Sequence, residues 1–328
     1  MISSIIKLYR RIKLDRQLGA ELFRYFRIIR KNNGSSDTFS DPNKMQSLIA
    51  RESHVLEKGM SMPEPHFPFG VERASELISH LERLLSSTAY DNTIIYNSIN
   101  IIEQYIKFHQ KNGYDLTEIK NRLERLLLKF PSIKISNNLD GGIRSVSNNE
   151  ITSEARLDFS HLLSSRHSHR NFTSQHVPDD IITKALALAS LTPSACNRQA
   201  WRTHVFDGEK ARQLLKWQEG CRGFYDKINR AILVTSDLNS FFAHEAFQAY
   251  IDGGLYSMNL INALHYYGLG TIPLSCGFPY KKLFELSKFD IPRNEIPIII
   301  IGIGFIPEET HVASSQRLEI TKTNTFHG

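Results

Sequence analysis

Apolar positions recur at three- and four-residue spacing through most of the first 130 residues, the period of amphipathic helices. Ile2, Ile5, Leu8, Tyr9 and Ile12 form one stripe, with Lys7, Arg10 and Arg11 opposite it. Past Gly19 a second stripe of Leu22, Phe23, Phe26 and Ile29 is rotated relative to the first, which predicts a kink or break near Gly19. The polar segment Asn32–Asp41 is a linker or an exposed loop. Helices are then expected over Pro42–Lys58, closed by Gly59, and over Val71–Ser86, Thr93–Gln110 and Leu116–Lys129. Pro131–Thr152 carries few large apolar groups and is expected to separate this helical part from the C-terminal half. The expected organisation is a basic amphipathic segment over 1–35, a helical region over 36–130, a linker over 131–152 and a second domain over 153–328.

Beyond residue 153 helices and strands mix. Glu154–Ser164 is predicted helical, Pro178 opens a helix with Asp179 and Asp180 in its first turn, and Arg202–Phe206 is a short strand. Ala231–Thr235 and Ile296–Ile303 are predicted as buried strands, and Phe241–Tyr267 as a long, largely buried helix whose aromatic residues pack a core or a dimer. The alternation is that of an α+β or α/β domain.

Length and charge sharpen this picture. At 328 residues the chain exceeds the usual single domain of about 100–200 residues, so two folding units are expected. The net charge is +6, but residues 1–35 hold nine Lys and Arg against two acidic side chains, a local +7, so the rest is close to neutral. Residues 1–31 are therefore expected to meet an anionic membrane surface or an acidic partner, or else to pack their stripe on the helical region with the basic face solvated. No recognised nucleic-acid-binding fold accompanies the basic stretch, so nucleic acid is not an expected partner. The apolar run Ile296–Ile306 is shorter than the roughly 20 residues of a spanning helix and contains Pro297, Gly302 and Gly304. The N-terminus is too basic for a signal peptide, and Cys196, Cys221 and Cys276 match no metal or redox spacing. A cytoplasmic protein, peripheral to the membrane if the first helix binds there, is the natural expectation.

Two segments concentrate chemistry. Arg166-His167-Ser168-His169-Arg170 places two guanidiniums, a hydroxyl and imidazoles within five residues, which suits an anionic, hydrogen-bonding ligand; a solvated basic loop would carry the same residues. Thr192-Pro193-Ser194-Ala195-Cys196-Asn197-Arg198-Gln199-Ala200-Trp201 lies between a helix and a strand and offers backbone N–H groups and amides, as a plain loop closing the core also would. Gly302-Ile303-Gly304 lacks the third glycine and the following helix of a dinucleotide fingerprint. His54, Glu57 and Lys58 share a helix face in the manner of a locally paired surface. No nucleophile–base set, metal spacing or carboxylate pair stands out.

In this order, with one helix between them, the two segments resemble the nitroreductase family, with Ala200 where a proline is usual. The likeness continues through Tyr250-Ile251-Asp252-Gly253-Gly254, Asn259-Leu260, Gly268-Leu269-Gly270-Thr271 and the strand ending in Gly302-Ile303-Gly304, about 170 residues in all. The added N-terminal half, with Arg51–Phe69, is similar to that of nitroreductase-like proteins associated with surface-polysaccharide synthesis. The resemblance implies a nitroreductase-like FMN-binding α/β sandwich of the α+β class, preceded by a mainly α-helical region. It implies that Arg166 and Arg317 neutralise the FMN phosphate, that His167 and Ser168 contact the phosphate and ribityl region, and that Arg170 lies by the pyrimidine edge. Pro193, Ser194, Ala195 and Asn197 would reach the flavin of the partner subunit in a homodimer. Pro273, Leu274, Ser275, Cys276 and Gly277 would run along the isoalloxazine ring, although Ser275, Cys276 and Gly277 stand where an acidic residue and glycine are common.

The function implied is FMN-dependent transfer of hydride or electrons between NAD(P)H and a small organic substrate, with the flavin carrying the chemistry and no catalytic side chain required. Two alternatives stay open: a flavin-dependent dehydrogenase of a biosynthetic intermediate, and a non-catalytic scaffold with a degenerate flavin fold.

Overall fold

A computed structural model describes residues 2–32, 39, 41–87, 90–131, 133, 141–242, 245 and 247–328. The chain divides into two compact units: residues 33–146 with 311–328, and residues 1–32 with 147–310. The segment 33–38 of the expected loop, and Ser132 with 134–140 of the expected linker, lie outside the described residues.

Helix α1 (Ile2–Asn32) is continuous. No break occurs at Gly19, and with 3.6 residues per turn Phe23 falls a whole number of turns beyond Ile5, so the two apolar stripes share one face. In the helical unit α2 (Pro42–Met60), α3 (Val71–Leu85), α4 (Asn92–Lys111) and α5 (Thr117–Lys129) pack around one core. Asp41 caps α2 by accepting from the Asn43 N–H at 2.9 Å, and Asp91 caps α4 by accepting from the Thr93 N–H at 2.7 Å. The buried stripes are Met45, Ile49, Leu56 and Met60 on α2, Leu77, Leu81 and Leu84 on α3, and Ile95, Ile99, Ile102 and Ile106 on α4. Helix α2 runs through Gly59 rather than stopping there. A side chain at that position would run into the Phe69 ring, so close packing explains this glycine.

The expected linker ends in regular structure: β1 (Ile143–Ser147), which pairs with β6 (Glu309–Ala313), and α6 (Asn148–Glu154). The helix expected over Glu154–Ser164 is split, because Asp158 caps a new one, α7 (Phe159–Ser165), through the Ser160 and His161 N–H groups. Next come α8 (Asp179–Ala189), β2 (Trp201–Asp207), α9 (Gly208–Gln218), β3 (Arg230–Asp237), α10 (Gln248–Tyr266), β4 (Gly270–Ser275), α11 (Tyr280–Leu283) and β5 (Glu295–Gly304). The short α12 (Ile320–Thr323) belongs to the helical unit.

The sheet order is β2-β3-β5-β4 and every pairing is antiparallel, which makes the domain α+β. Ile232, Val234, Ile301 and Ile303 join α8 and α10 in one core, while Leu233 and Ile300, paired in register, are buried on the other face by strand alternation. Gly302 and Gly304 serve packing rather than a phosphate turn. A Cβ on Gly302 would sit 2.9 Å from Ile272, and one on Gly304 would sit 2.9 Å from Phe172.

Candidate functional site

The cationic segment is fixed to the edge of the sheet. Arg166 terminates α7 in an extended conformation, Ser168 bridges Thr271 in parallel, and the His169 N–H donates to the Thr271 carbonyl at 2.9 Å. The segment therefore runs alongside the first residues of β4. The same strand contains Pro273, Leu274 and Ser275, so one edge strand carries the 166–170 segment at its start and leads into Cys276 and Gly277 at its end.

Exposure sorts these residues. Arg166, His167 and Ser168 are half-buried, with surface left to meet a ligand, whereas His169 and Arg170 are buried. Burial pushes the His169 imidazole down to about 3, with further lowering from His167, His265, Arg166 and Arg170, so its ring is neutral. Neither His169 ring nitrogen has a hydrogen-bond partner among the described residues. His265 on α10 is pushed down to about 4 by burial and then by Arg166, and its Nε2 lies 2.8 Å from Ser165 Oγ. Arg166 and Arg170 thus bring permanent positive charge to the cluster, and the buried His169 and His265 rings add none.

In the 273–277 turn Leu274 is buried, while Ser275 and Gly277 are exposed and Pro273 and Cys276 half-buried. Gln218 Nε2 donates to the Ser275 carbonyl at 3.0 Å and the Phe278 N–H donates to the Cys276 carbonyl at 2.8 Å, which fixes the backbone of the turn. Desolvation raises the Cys276 thiol to about 12, so it is no thiolate nucleophile.

The second segment is anchored on α10. The buried Asp252 carboxylate accepts from the Ala195 N–H at 3.1 and 3.3 Å and from Gln248 Nε2 at 2.8 Å. Asn259 donates to Thr192 Oγ1 at 2.7 Å, and Ser194 Oγ accepts from the Gln199 N–H at 2.9 Å. Arg198 forms a bidentate pair with Glu245 at 2.7 and 2.8 Å and lies over the Phe241 ring. These ties hold Cys196, Asn197 and Gln199 at φ of 51°, 54° and 49°, a left-handed backbone that costs most residues energy. Pro193 and Asn197 are exposed on the loop, Ser194 and Ala195 half-buried, and Trp201 stacks on Tyr256 with ring centroids 4.7 Å apart.

Arg317 belongs to the helical unit and lines its cavity of about 840 Å3 with Asn43, Gln46, His54, Asn97 and Lys322. This cavity contains none of the 166–170 or 273–277 residues. Its size therefore does not identify it with the chemistry those segments carry. No group of three or more His, Cys, Asp or Glu side chains able to hold a metal occurs among the described residues.

Sequence reasoning quoted Asp252 and Asn259 but gave them no role, and it passed over Gln248 and His265. The available signal was a carboxylate and an amide on an otherwise apolar helix, which must find buried partners.

Residues 163–236 match the Nitroreductase family. A provisionally named NADH dehydrogenase/NAD(P)H nitroreductase of Methanothermobacter thermautotrophicus is 24% identical over 186 residues, covering 56% of this chain and 90% of that protein. The provisionally named NAD(P)H nitroreductase YodC of Bacillus subtilis is 27% identical over 190 residues, covering 47% and 91%. Among solved structures, a provisionally named nitroreductase of Exiguobacterium sibiricum in complex with FMN is 20% identical, with a TM-score of 0.47, over 52% of this chain and 98% of that one. Residues 163–236 thus match a nitroreductase-family domain, and a helical region precedes them in the chain.

Proposed function

We propose that the protein is an FMN-dependent oxidoreductase that passes hydride or electrons between NAD(P)H and a small organic substrate. The observation that carries this reading is the attachment of the Arg166–Arg170 segment, through Ser168 and the His169 N–H, to the start of β4, the strand that leads into Cys276 and Gly277. An accessible guanidinium, an imidazole and a hydroxyl at one end suit a phosphate and its hydroxylated chain. The neutral rings of His169 and His265 beneath them add bulk without charge.

FMN, when bound, accepts hydride and returns electrons to a second substrate. The residues present fit it. Arg166 and Ser168 would hold the phosphate end, Arg170 would supply positive charge behind the segment, and the backbone of Ser275–Gly277 would face the ring. Arg317 lies in the helical unit, so the phosphate role that the family resemblance implies for it is not built into this site. Gln218 positions the turn by holding the Ser275 carbonyl. The loop of Pro193, Ser194, Ala195 and Asn197 completes the flavin site of a second copy, so the working form is a homodimer.

Purified protein titrated with FMN should acquire the blue and near-ultraviolet absorbance of bound flavin, and anaerobic NADH or NADPH should bleach it. Protein that never retains FMN would overturn the reading.

A further inference from the structure

We infer that α1 binds an anionic lipid surface, lying along it rather than crossing it. Ile5, Leu8, Tyr9 and Ile12 share one side of the helix, and Phe23 and Phe26 continue that side five turns later. In the folded chain all six are exposed, most with more than half of their surface open: Ile5 62%, Leu8 59%, Tyr9 67%, Phe23 60%, Phe26 55%. The stripe is therefore not packed on the rest of the chain, and monomeric proteins rarely leave so many large apolar groups on one element.

Charge selects the occupant. Lys7, Arg10, Arg11, Lys13, Arg16 and Arg27 are exposed on the same helix, within the segment that carries +7. A second copy of α1 laid against this one would bring two such charges together at short range, which opposes self-association. A lipid surface with anionic headgroups complements them. Lys7, Arg10 and Arg11 lie away from the apolar side, while Arg16 and Arg27 fall within it, Arg27 five turns beyond Tyr9, and their long stems carry the charges up to the headgroups. The helix is about 46 Å long at 1.5 Å per residue, yet no described helix is long and apolar enough to cross a membrane. It reads as an in-plane element, and the stripe and the charges supply two independent contributions to reversible attachment.

The test uses the full chain with sonicated vesicles of phosphatidylcholine alone and of phosphatidylcholine mixed with phosphatidylglycerol. Sedimentation is expected with the mixed vesicles, weakly or not at all with the neutral ones, and it should fade as salt rises. Arg10→Glu with Arg11→Glu should lower partitioning by more than about tenfold, and Leu8→Ser with Phe23→Ser should do so at unchanged charge. Circular dichroism and thermal melting of each variant report that the fold is intact, as exposure of these side chains predicts. Absence of sedimentation with anionic vesicles overturns the inference. So does equal binding to neutral vesicles, or binding that neither pair of substitutions alters. A fall in oligomeric mass in Leu8→Ser/Phe23→Ser, without vesicle binding by the parent protein, would assign the face to contact between copies instead.

Discussion

Replacing Asp252 by alanine removes the group on which the second motif hangs. Its carboxylate is 1% exposed and accepts the Ala195 N–H and the Gln248 amide. Hydrogen bonds to a charged group contribute about 1.5–3 kcal/mol each. Gln248 and Ala195 are half-buried, so water recovers part of what they lose. A destabilisation of about 2–4 kcal/mol is the net expectation. The loop should respond more than the domain. Cys196, Asn197 and Gln199 sit in left-handed backbone, at a cost of about 1 kcal/mol or more each. Without Asp252 the remaining ties, chiefly Arg198 to Glu245, no longer outweigh that cost, and the loop relaxes. Urea unfolding measures the first effect, and amide exchange at Ala195 and Asn197 measures the second. Asp252→Asn keeps one acceptor and should cost about 1–2 kcal/mol. A loss below about 1 kcal/mol in Asp252→Ala, with exchange at Ala195 unchanged, would refute the argument that this carboxylate holds the loop.

Arg166→Ala should weaken FMN binding by about 10- to 100-fold, the worth of one charge-assisted contact, as read by fluorescence titration; full flavin occupancy in dilute solution would remove Arg166 from the phosphate site. The exposed side of α10, with Tyr250, Ile251, Leu255 and Met258, should be covered by a second copy, so sedimentation should give a dimer and Ile251→Asp with Leu255→Asp a monomer that loses flavin. A monomeric parent that carries FMN contradicts this. Acid should destabilise the fold through His265 and His169. Their folded values, about 4 and about 3, lie below the ordinary 6.5, so the unfolded chain takes up protons first and stability is lost as pH falls below about 6.5. His265 alone should cost about 1.5–2 kcal/mol by about pH 5, and a urea midpoint level over that range would show that these rings are not buried neutral.

The helices of the N-terminal half were legible from their apolar spacing alone; the caps at Asp41 and Asp91 fix where α2 and α4 begin. Glycine misled twice. Gly19 interrupts nothing, since a glycine inside a helix costs only about 1 kcal/mol, and Gly59 is explained by Phe69. β1 and α6 were missed because Ile143, Val146 and Ile151 are too few to make a period, and their polar neighbours read as linker. The helix expected from Phe241 begins only at Gln248, and its Tyr250, Ile251, Leu255 and Met258 are exposed, on a helix expected to be largely buried in a core or a dimer. An apolar side chain destined for a neighbouring molecule has the same chemistry as one destined for the interior, so hydrophobic pattern cannot separate them.

The candidate site divides along a similar line. Arg166 to Arg170 were visible because their charges are adjacent in sequence, and they stay adjacent in space on the edge of β4. Asp252 acts on Ala195, and His265 on Ser165, across separations that no local pattern records. What the sequence does hold is a cost: an acid on an apolar helix is expensive to bury unless something donates to it. Asp252 is followed by Gly253, and the pair shows how that cost is met. A Cβ on Gly253 would lie 2.6 Å from Ile298, so the missing side chain lets α10 seat against β5. One residue earlier, and about 100° around the helix, Asp252 turns to the 195 loop. The depth at which Gly253 seats the helix fixes where the carboxylate sits. A larger residue at Gly253 would therefore push Asp252 outward and slacken a loop it never touches, and Gly253→Val should reproduce the amide-exchange signature of Asp252→Ala at Ala195.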